Sequence, residues 1–214
     1  MLEVEVTTAR QALRAGEAGA DRVIACREHD FGLGSPTPDD VAAIRRATTV
    51  ELRVLLRLRA GYGTDGGEAT RLKGLCWSYL DAGADGFVLG FLNELGHVDQ
   101  GVCAELIAGG AWPWTFDRAI DSAFDQPAAW SLVAGLDRCD GVLTAGSPSG
   151  LEAGFDHVLK LAADPVARPL LVVDRPLVEQ MPWLTRAGVK KVNIGLMGRD
   201  VDSDRVASWR RLLP

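Results

Sequence analysis

Three arginines and two aspartates stand where their side chains could hold and transform a small anion. They are Arg57, Arg59 and Arg118, with Asp117 and Asp121. A guanidinium group pairs with a phosphate or carboxylate through two parallel hydrogen bonds and is never deprotonated in a protein. We therefore expect an anion pocket, with Asp117 as general base beside Arg57 and Arg118. The alternative is that these charges pair with one another inside the fold, which would serve structure alone.

Cys26 is the candidate metal ligand. A thiolate can bind a soft metal ion or act as a nucleophile, but a nucleophile needs a positioned base, and no histidine is predicted beside Cys26. A small buried thiol that only packs is the alternative. His29 follows in the same segment, between Glu28 and Asp30. It could also be a ligand, although no spacing in this segment completes a metal site, and a solvated loop is the alternative.

The turn from Thr144 to Gly150 leads into a predicted helix. Backbone N–H groups at the start of a helix commonly hold an anion, so this turn is a second candidate anion site. We place Thr144 and Gly146 among the ligand-binding residues, together with Asp121 and with Asn193 near the end of the last predicted strand. The turn could also be no more than a helix cap.

The elements that position these residues are short β-branched runs at even spacing, each followed by a segment of helical period. Alternation of this kind is typical of parallel βα units. The predicted strands are Leu2–Val6, Arg22–Cys26, Leu52–Leu58, Gly86–Gly90, Trp112–Phe116, Gly141–Thr144, Pro169–Val173 and Val189–Ile194. The predicted helices begin near Thr8, Pro38, Glu68, Gln100, Gln126, Ser149, Leu177 and Asp204.

Eight such units in 214 residues predict an α/β fold, a (β/α)8 TIM barrel that forms a single domain over residues 1–214. An open doubly wound sheet would need a glycine-rich turn after the first strand, and the segment from Val6 to Arg10 contains no glycine. Barrel enzymes place their chemistry at the C-terminal ends of the strands. The candidate residues lie at these ends.

Strands that alternate polar and apolar residues should turn their polar side chains into the barrel. In the first strand, Leu2, Val4 and Val6 suit the helix layer, which leaves Glu3 and Glu5 inside. Because buried charges need partners, the balance of acidic and basic groups predicts an internal network. The residues expected to face inward are Glu3, Glu5, Arg53, Leu55, Arg57, Arg59, Thr115, Asp117, Lys191 and Asn193.

Charge and hydropathy exclude several partners. The formal net charge is −6, and the basic surface that a nucleic-acid binder needs is missing. No apolar run approaches the roughly 20 residues that span a bilayer, and the acidic start is not a targeting peptide, so we expect no membrane contact and a cytoplasmic location. Four separated cysteines predict reduced thiols. The expected partner is a small molecule or a metal ion, and a homo-oligomer is left open.

Five segments, taken in order, resemble the CutC family, which is linked to copper homeostasis. They are Gly19–Cys26, Gly34–Pro38, Arg57–Arg59, Thr115–Asp121 and Leu143–Gly146. The resemblance implies a (β/α)8 barrel, a role in copper homeostasis and copper as the bound metal. The matched positions that keep the family's polar or glycine residues are Cys26, Arg57, Arg59, Arg118, Asp121, Thr144 and Gly146.

The chain departs from the family pattern at other polar positions. Glu5 stands where a cysteine is common, Ile24 where a glutamate is usual, and Asp117 and Asn193 where the family has histidines. Cuprous copper prefers thiolate, thioether and imidazole ligands, so Cys26 is the remaining matched ligand. Three hypotheses follow: a copper-binding homeostasis protein, a lyase, isomerase or hydrolase that holds a phosphorylated or carboxylated molecule with its arginines, or a catalytically silent barrel that acts through an interface.

Overall fold

The computed structural model describes residues 1–195 and 203–213, apart from the side chain of Arg205. The strands are β1 Leu2–Val6, β2 Arg22–Ala25, β3 Arg27–His29, β4 Gly32–Gly34, β5 Glu51–Leu55, β6 Gly86–Leu89, β7 Trp114–Phe116, β8 Cys139–Thr144, β9 Leu171–Asp174 and β10 Val192–Ile194. All except β3 and β4 are parallel and close into one barrel, in which β10 pairs with β1. The predicted eight-stranded α/β barrel is confirmed.

A helix follows each barrel strand and covers its outer face. The helices are α1 Ala9–Glu17, α2 Pro38–Ala47, α3 Gly66–Asp81, α4 Gln100–Ile107, α5 Gln126–Ala134, α6 Leu151–Ala163, α7 Met181–Arg186 and α8 Ser203–Leu212. Short 3-10 turns at Arg118–Ser122 and Val178–Gln180 precede α5 and α7. Local chemistry sets these starts: Thr37 and Asp40 form a reciprocal capping box before α2, with Pro38 in its first turn.

The predicted strand over Leu52–Leu58 is too long. β5 ends at Leu55 because the chain then leaves the sheet, and the Arg57 N–H donates to the Ser35 hydroxyl at 2.8 Å. The β3–β4 hairpin was not predicted. Its turn is formed by Asp30 and Phe31, and β4 begins at Gly32, whose φ is +106°. This hairpin extends over the C-terminal end of the barrel, where Phe31 and Leu33 line a cavity.

The alternation in β1 is as predicted. Leu2, Val4 and Val6 are buried between barrel and helices, and Glu3 and Glu5 turn inward. At the N-terminal end of the barrel, charged side chains form the lower network: Glu3, Arg22, Glu51, Arg53, Asp140 and Lys191. Lys191 belongs to this end, where its Nζ donates to the Asp140 carbonyl, so it does not share a site with Arg57 as expected.

No helix in the described ranges combines the length and the apolar content needed to cross a bilayer.

Candidate functional site

The C-terminal ends of the strands surround a cavity of about 450 Å³, which is a size typical of small-molecule sites. Its lining falls into an apolar and a charged group. The apolar side chains are Ile24, Phe31, Leu33, Leu55, Val88, Leu143 and Pro148. The charged side chains are Glu5, Arg57, Asp117, Arg118, Asp174 and Arg175, with Cys26, Gly61 and Tyr62 completing the wall.

Arg57 is held on several sides. Its guanidinium pairs with Asp117 and donates to the carbonyl oxygens of Gly61 and Gly90, the latter at 3.2 Å. The ring of Tyr62 lies against the same guanidinium, with 4.6 Å between the guanidinium carbon and the ring centroid. Arg57 therefore lines the cavity with a side chain whose position is fixed.

Asp117 has a donor on each carboxylate oxygen. Oδ2 accepts from Arg57, and Oδ1 accepts from the Ala119 N–H at 2.8 Å, which caps the 3-10 turn. Gly90 makes room for this carboxylate, because a Cβ there would lie 2.2 Å from Asp117 Oδ1. The geometry is that of an ion pair and a cap, the arrangement we considered as the alternative to a general base.

Arg118 reaches the cavity from the start of the same turn. Nη1 donates to Asp174 at 2.7 Å, Nη2 donates to the Ser147 carbonyl at 2.9 Å, and Nε contacts Asp121. Although burial works to lower it, the two carboxylates raise the pKa of Arg118 above its usual value. Arg118 thus stays cationic while it joins β7, β8 and β9 at the cavity wall.

Asp121 and Thr144 lie behind Arg118 and are not part of the cavity wall. The Thr144 hydroxyl and the Ala145 N–H, the latter at 2.9 Å, donate to the two Asp121 oxygens. Gly146 has a φ of +74° and packs on α6, where a Cβ would lie 2.3 Å from a backbone oxygen. The structure therefore places these residues, predicted to bind a ligand, as supports of Arg118 and of the turn after β8.

A second group of polar side chains, the upper quartet, consists of Glu5, Asp174, Arg175 and Asn193. The first three line the cavity, and Asn193 is fully buried. Arg175 Nη2 donates to Glu5 Oε2 at 2.8 Å, and Asn193 Nδ2 donates to Glu5 Oε1 at 3.2 Å and to Asp174 Oδ1 at 3.1 Å. Burial raises the pKa of Glu5 against the opposing charge of Arg175. Asn193, predicted to bind a ligand, joins two carboxylates and is not part of the cavity lining.

Arg59 is not part of the cavity wall, contrary to our expectation. Beyond the end of β5 its side chain turns outward and pairs with Asp65 and Glu68 at the start of α3. Arg175 was missed by the sequence reasoning. Its only sequence signal is its place directly after the apolar strand β9, before Pro176.

Copper does not fit the residues of the cavity. The Cys26 thiol donates to the Val6 carbonyl at 3.5 Å, and burial raises its pKa, which keeps sulfur protonated. His29 contacts the Ser35 carbonyl at 3.2 Å and stacks on Phe31. Within the described ranges no three His, Cys, Asp or Glu side chains are grouped as metal ligands would be. Cuprous copper needs more soft donors than one protonated thiol.

Residues 1–173 match the model of the CutC family. A family protein CutC from Xylella fastidiosa strain Temecula1 is 34% identical over 173 residues, which are 80% of this chain and 64% of the relative. The human copper homeostasis protein cutC homolog is 31% identical over 165 residues, 75% of this chain and 59% of the relative. The chain thus spans less than two thirds of the length of both.

Among solved structures, a copper homeostasis protein CutC from Streptococcus agalactiae superposes with a TM-score of 0.81 at 20% identity. The match covers 94% of this chain and 99% of that one. A dihydrodipicolinate synthase from Bacillus clausii gives a TM-score of 0.65 at 14% identity and covers 98% of this chain and 77% of its own. At these identities the two likenesses concern the fold.

Proposed function

The chain belongs to the CutC family, and from that premise we propose that its barrel binds a small organic molecule carrying a carboxylate or phosphate group. The observation that supports this most is that three arginines line one cavity together with aliphatic and aromatic side chains. Guanidinium groups suit an oxyanion, and the apolar side chains suit a short hydrocarbon body.

The family's link to copper homeostasis comes to this chain with its membership. Direct binding of copper in the cavity is not part of our proposal, because Cys26 offers a single protonated thiol. A lyase, isomerase or hydrolase reaction on the bound molecule stays a hypothesis, because Asp117 would have to give up a donor on one of its oxygens to act as a base. We also propose that the protein is located in the cytoplasm, because a reducing compartment suits its four free cysteines.

Calorimetric titration with matched probes tests the proposal. Isovalerate and butyl phosphate carry the two oxyanions on a short apolar body, and isovaleramide is the uncharged equivalent. We expect the wild-type protein to bind at least one anion about tenfold or more tightly than the amide, since charged hydrogen bonds to arginine are lost with the amide. The relative affinities of the two anions distinguish a carboxylated from a phosphorylated ligand.

A cavity-filling variant locates the binding. Leu33 lies on the β3–β4 hairpin and lines the cavity, so Leu33→Trp should abolish anion binding without touching an ion pair. Leu177→Trp is the matched control, because this leucine is exposed and lies outside the lining. If neither anion binds to the wild-type protein, or if Leu33→Trp binds as well as Leu177→Trp, the proposal is wrong and a silent barrel is favoured.

A further inference from the structure

We infer that Arg175 takes the anionic group of the ligand and that the Glu5 carboxylate now paired with it is displaced, taking up one proton as the anion binds. This inference rests on the proposed function, since it names the residue that selects the anion and the proton that accompanies it. No comparison assigns a role to either residue.

Arg175 is held in a conformation that an arginine rarely adopts. Its φ is +48°, in the left-handed region, which is strained for a side chain larger than glycine. Its guanidinium lies against Gly195, just after β10, where a Cβ would come within 2.1 Å of Arg175 Nε. The strained backbone of Arg175 and its close approach to Gly195 together place this guanidinium in the cavity lining.

Among the three arginines of the wall, Arg175 is the one free to change partner. Arg57 is almost fully buried and has partners on several sides, and Arg118 is tied to two carboxylates and a carbonyl. The Arg175 side chain is 45% exposed, and within the described residues its guanidinium makes one hydrogen bond, to Glu5. Asp174 lies 3.7 Å from its Nε, too far for a hydrogen bond.

The groups around Glu5 explain why a proton must accompany the exchange. Arg175 and Asp174 face it from the end of β9, Asn193 faces it from β10, and the neutral Cys26 thiol faces it from the end of β2. An anion on Arg175 would take away the one cation paired with Glu5 and leave the ionised carboxylate beside Asp174 and the new anion. Like charges at such distances disfavour ionisation, so Glu5 takes a proton from solvent and becomes a neutral acid.

The sign of the pH dependence follows. Between the pKa of Glu5 in the free protein and its higher pKa in the complex, each anion bound brings in up to one proton, so affinity increases as the pH falls. Burial already raises the pKa of free Glu5 above its ordinary value of 4.5. On acidification the increase in affinity should therefore begin where Glu5 of the complex becomes protonated and level off once Glu5 of the free protein is protonated as well, above pH 4.5.

Butanesulfonate is the probe for this test, because it stays ionised throughout the pH range and every proton taken up belongs to the protein. Calorimetry in bis-tris and in imidazole, two cationic buffers with different ionisation enthalpies, gives the number of protons per anion. We expect the wild-type protein to take up close to one proton per anion at a pH between the pKa of Glu5 in the free protein and its pKa in the complex. Glu5→Gln should bind several-fold more tightly at that pH and take up no proton.

Arg175→Gln should weaken binding about tenfold or more, because it removes a charged hydrogen-bond donor. Arg138→Gln is the matched control: Arg138 also has a positive φ, of 58°, but it precedes β8 at the other end of the barrel. Anion binding without proton uptake, or binding that Arg175→Gln leaves unchanged, would overturn the inference while the proposed function stands. Absence of binding by isovalerate, butyl phosphate and butanesulfonate alike would overturn both.

Discussion

Cys26 is the residue through which a CutC-like copper site would be expected in this chain, because its thiol is the matched soft ligand. Its thiol is 1% exposed, donates to a backbone carbonyl and is kept protonated by burial. To bind copper, Cys26 would need further soft donors beside it. The other groups that line the cavity are guanidinium, carboxylate, phenol and hydrocarbon groups. A thiol in these surroundings packs as a small apolar group.

We expect Cys26→Ser to bind cuprous ions with the same stoichiometry and affinity as the wild-type protein. The measurement is competition with a chromophoric Cu(I) chelator under reducing conditions. Cys103→Ser is the control, because Cys103 is also fully buried, in α4, and burial raises its pKa to about 12. Loss of one tightly bound copper ion in Cys26→Ser alone would show that the cavity is a copper site after all.

The ends of the strands decide which predicted residues reach the cavity. Periodicity in Leu52–Leu58 predicted that Arg57 and Arg59 point inward together, but alternation holds only while the chain stays in the sheet, and β5 ends at Leu55. Arg57 reaches the cavity from the loop, whereas Arg59 pairs with residues at the start of α3. A sequence does not show that the Ser35 hydroxyl accepts a hydrogen bond from the Arg57 N–H, because that contact depends on the tertiary fold. The ends of strands are therefore harder to predict than the strands themselves.

The end of β10 offers a test of how an element positions Arg175. Gly195→Ala should shift this guanidinium, because the new Cβ would lie 2.1 Å from Nε, and should weaken binding of butanesulfonate several-fold. The side chain that must move is long and half-exposed, so the change in unfolding free energy should stay within about 1 kcal/mol. Gly74→Ala in α3 has open space around the added methyl and serves as control. Unchanged affinity in Gly195→Ala would mean that the glycine does not position Arg175.

At the scale of the whole molecule, the repeated βα units made the fold predictable from the sequence. The ion pairs were not predictable, because they form only when the barrel closes. The eight βα units can be recognised from the sequence pattern, and so can the side of β1 that faces the barrel interior. Which charges meet depends on neighbours that closure creates: Glu5 and Asn193 are 188 positions apart, yet they are joined because β1 pairs with β10. The sequence predicted most of the inward charges, with Arg59 as an exception, and only some of their partners.

The charged side chains of the barrel lie at two ends, the lower network at one and the upper quartet at the other. We expect variants at the two ends to differ in their effect on the free energy of unfolding. Arg53, in the lower network, is fully buried and donates to Glu51 at 2.8 Å, to Thr115 at 2.8 Å and to Asp140. Within the described part of the chain, Arg53→Met would remove one of the two guanidinium partners of these carboxylates and leave them paired with Arg22 alone. Because Glu51 and Asp140 keep some contact with solvent, we expect a loss of about 3 kcal/mol, at the lower end for broken buried pairs, measured by urea unfolding.

The same variant should change the acid sensitivity of the fold while leaving the cavity intact. Although burial opposes it, Arg53 lowers the pKa of Asp140 below its ordinary value of 3.8. The stability that this lowered pKa gives the wild-type protein is present above pH 3.8 and is lost as the pH falls below it, so the destabilisation by Arg53→Met should shrink in that range. Arg175→Gln should show the reverse pattern, with little change in unfolding and a large change in anion binding. Equal loss of stability in both variants would mean that the upper quartet, like the lower network, only holds the barrel together.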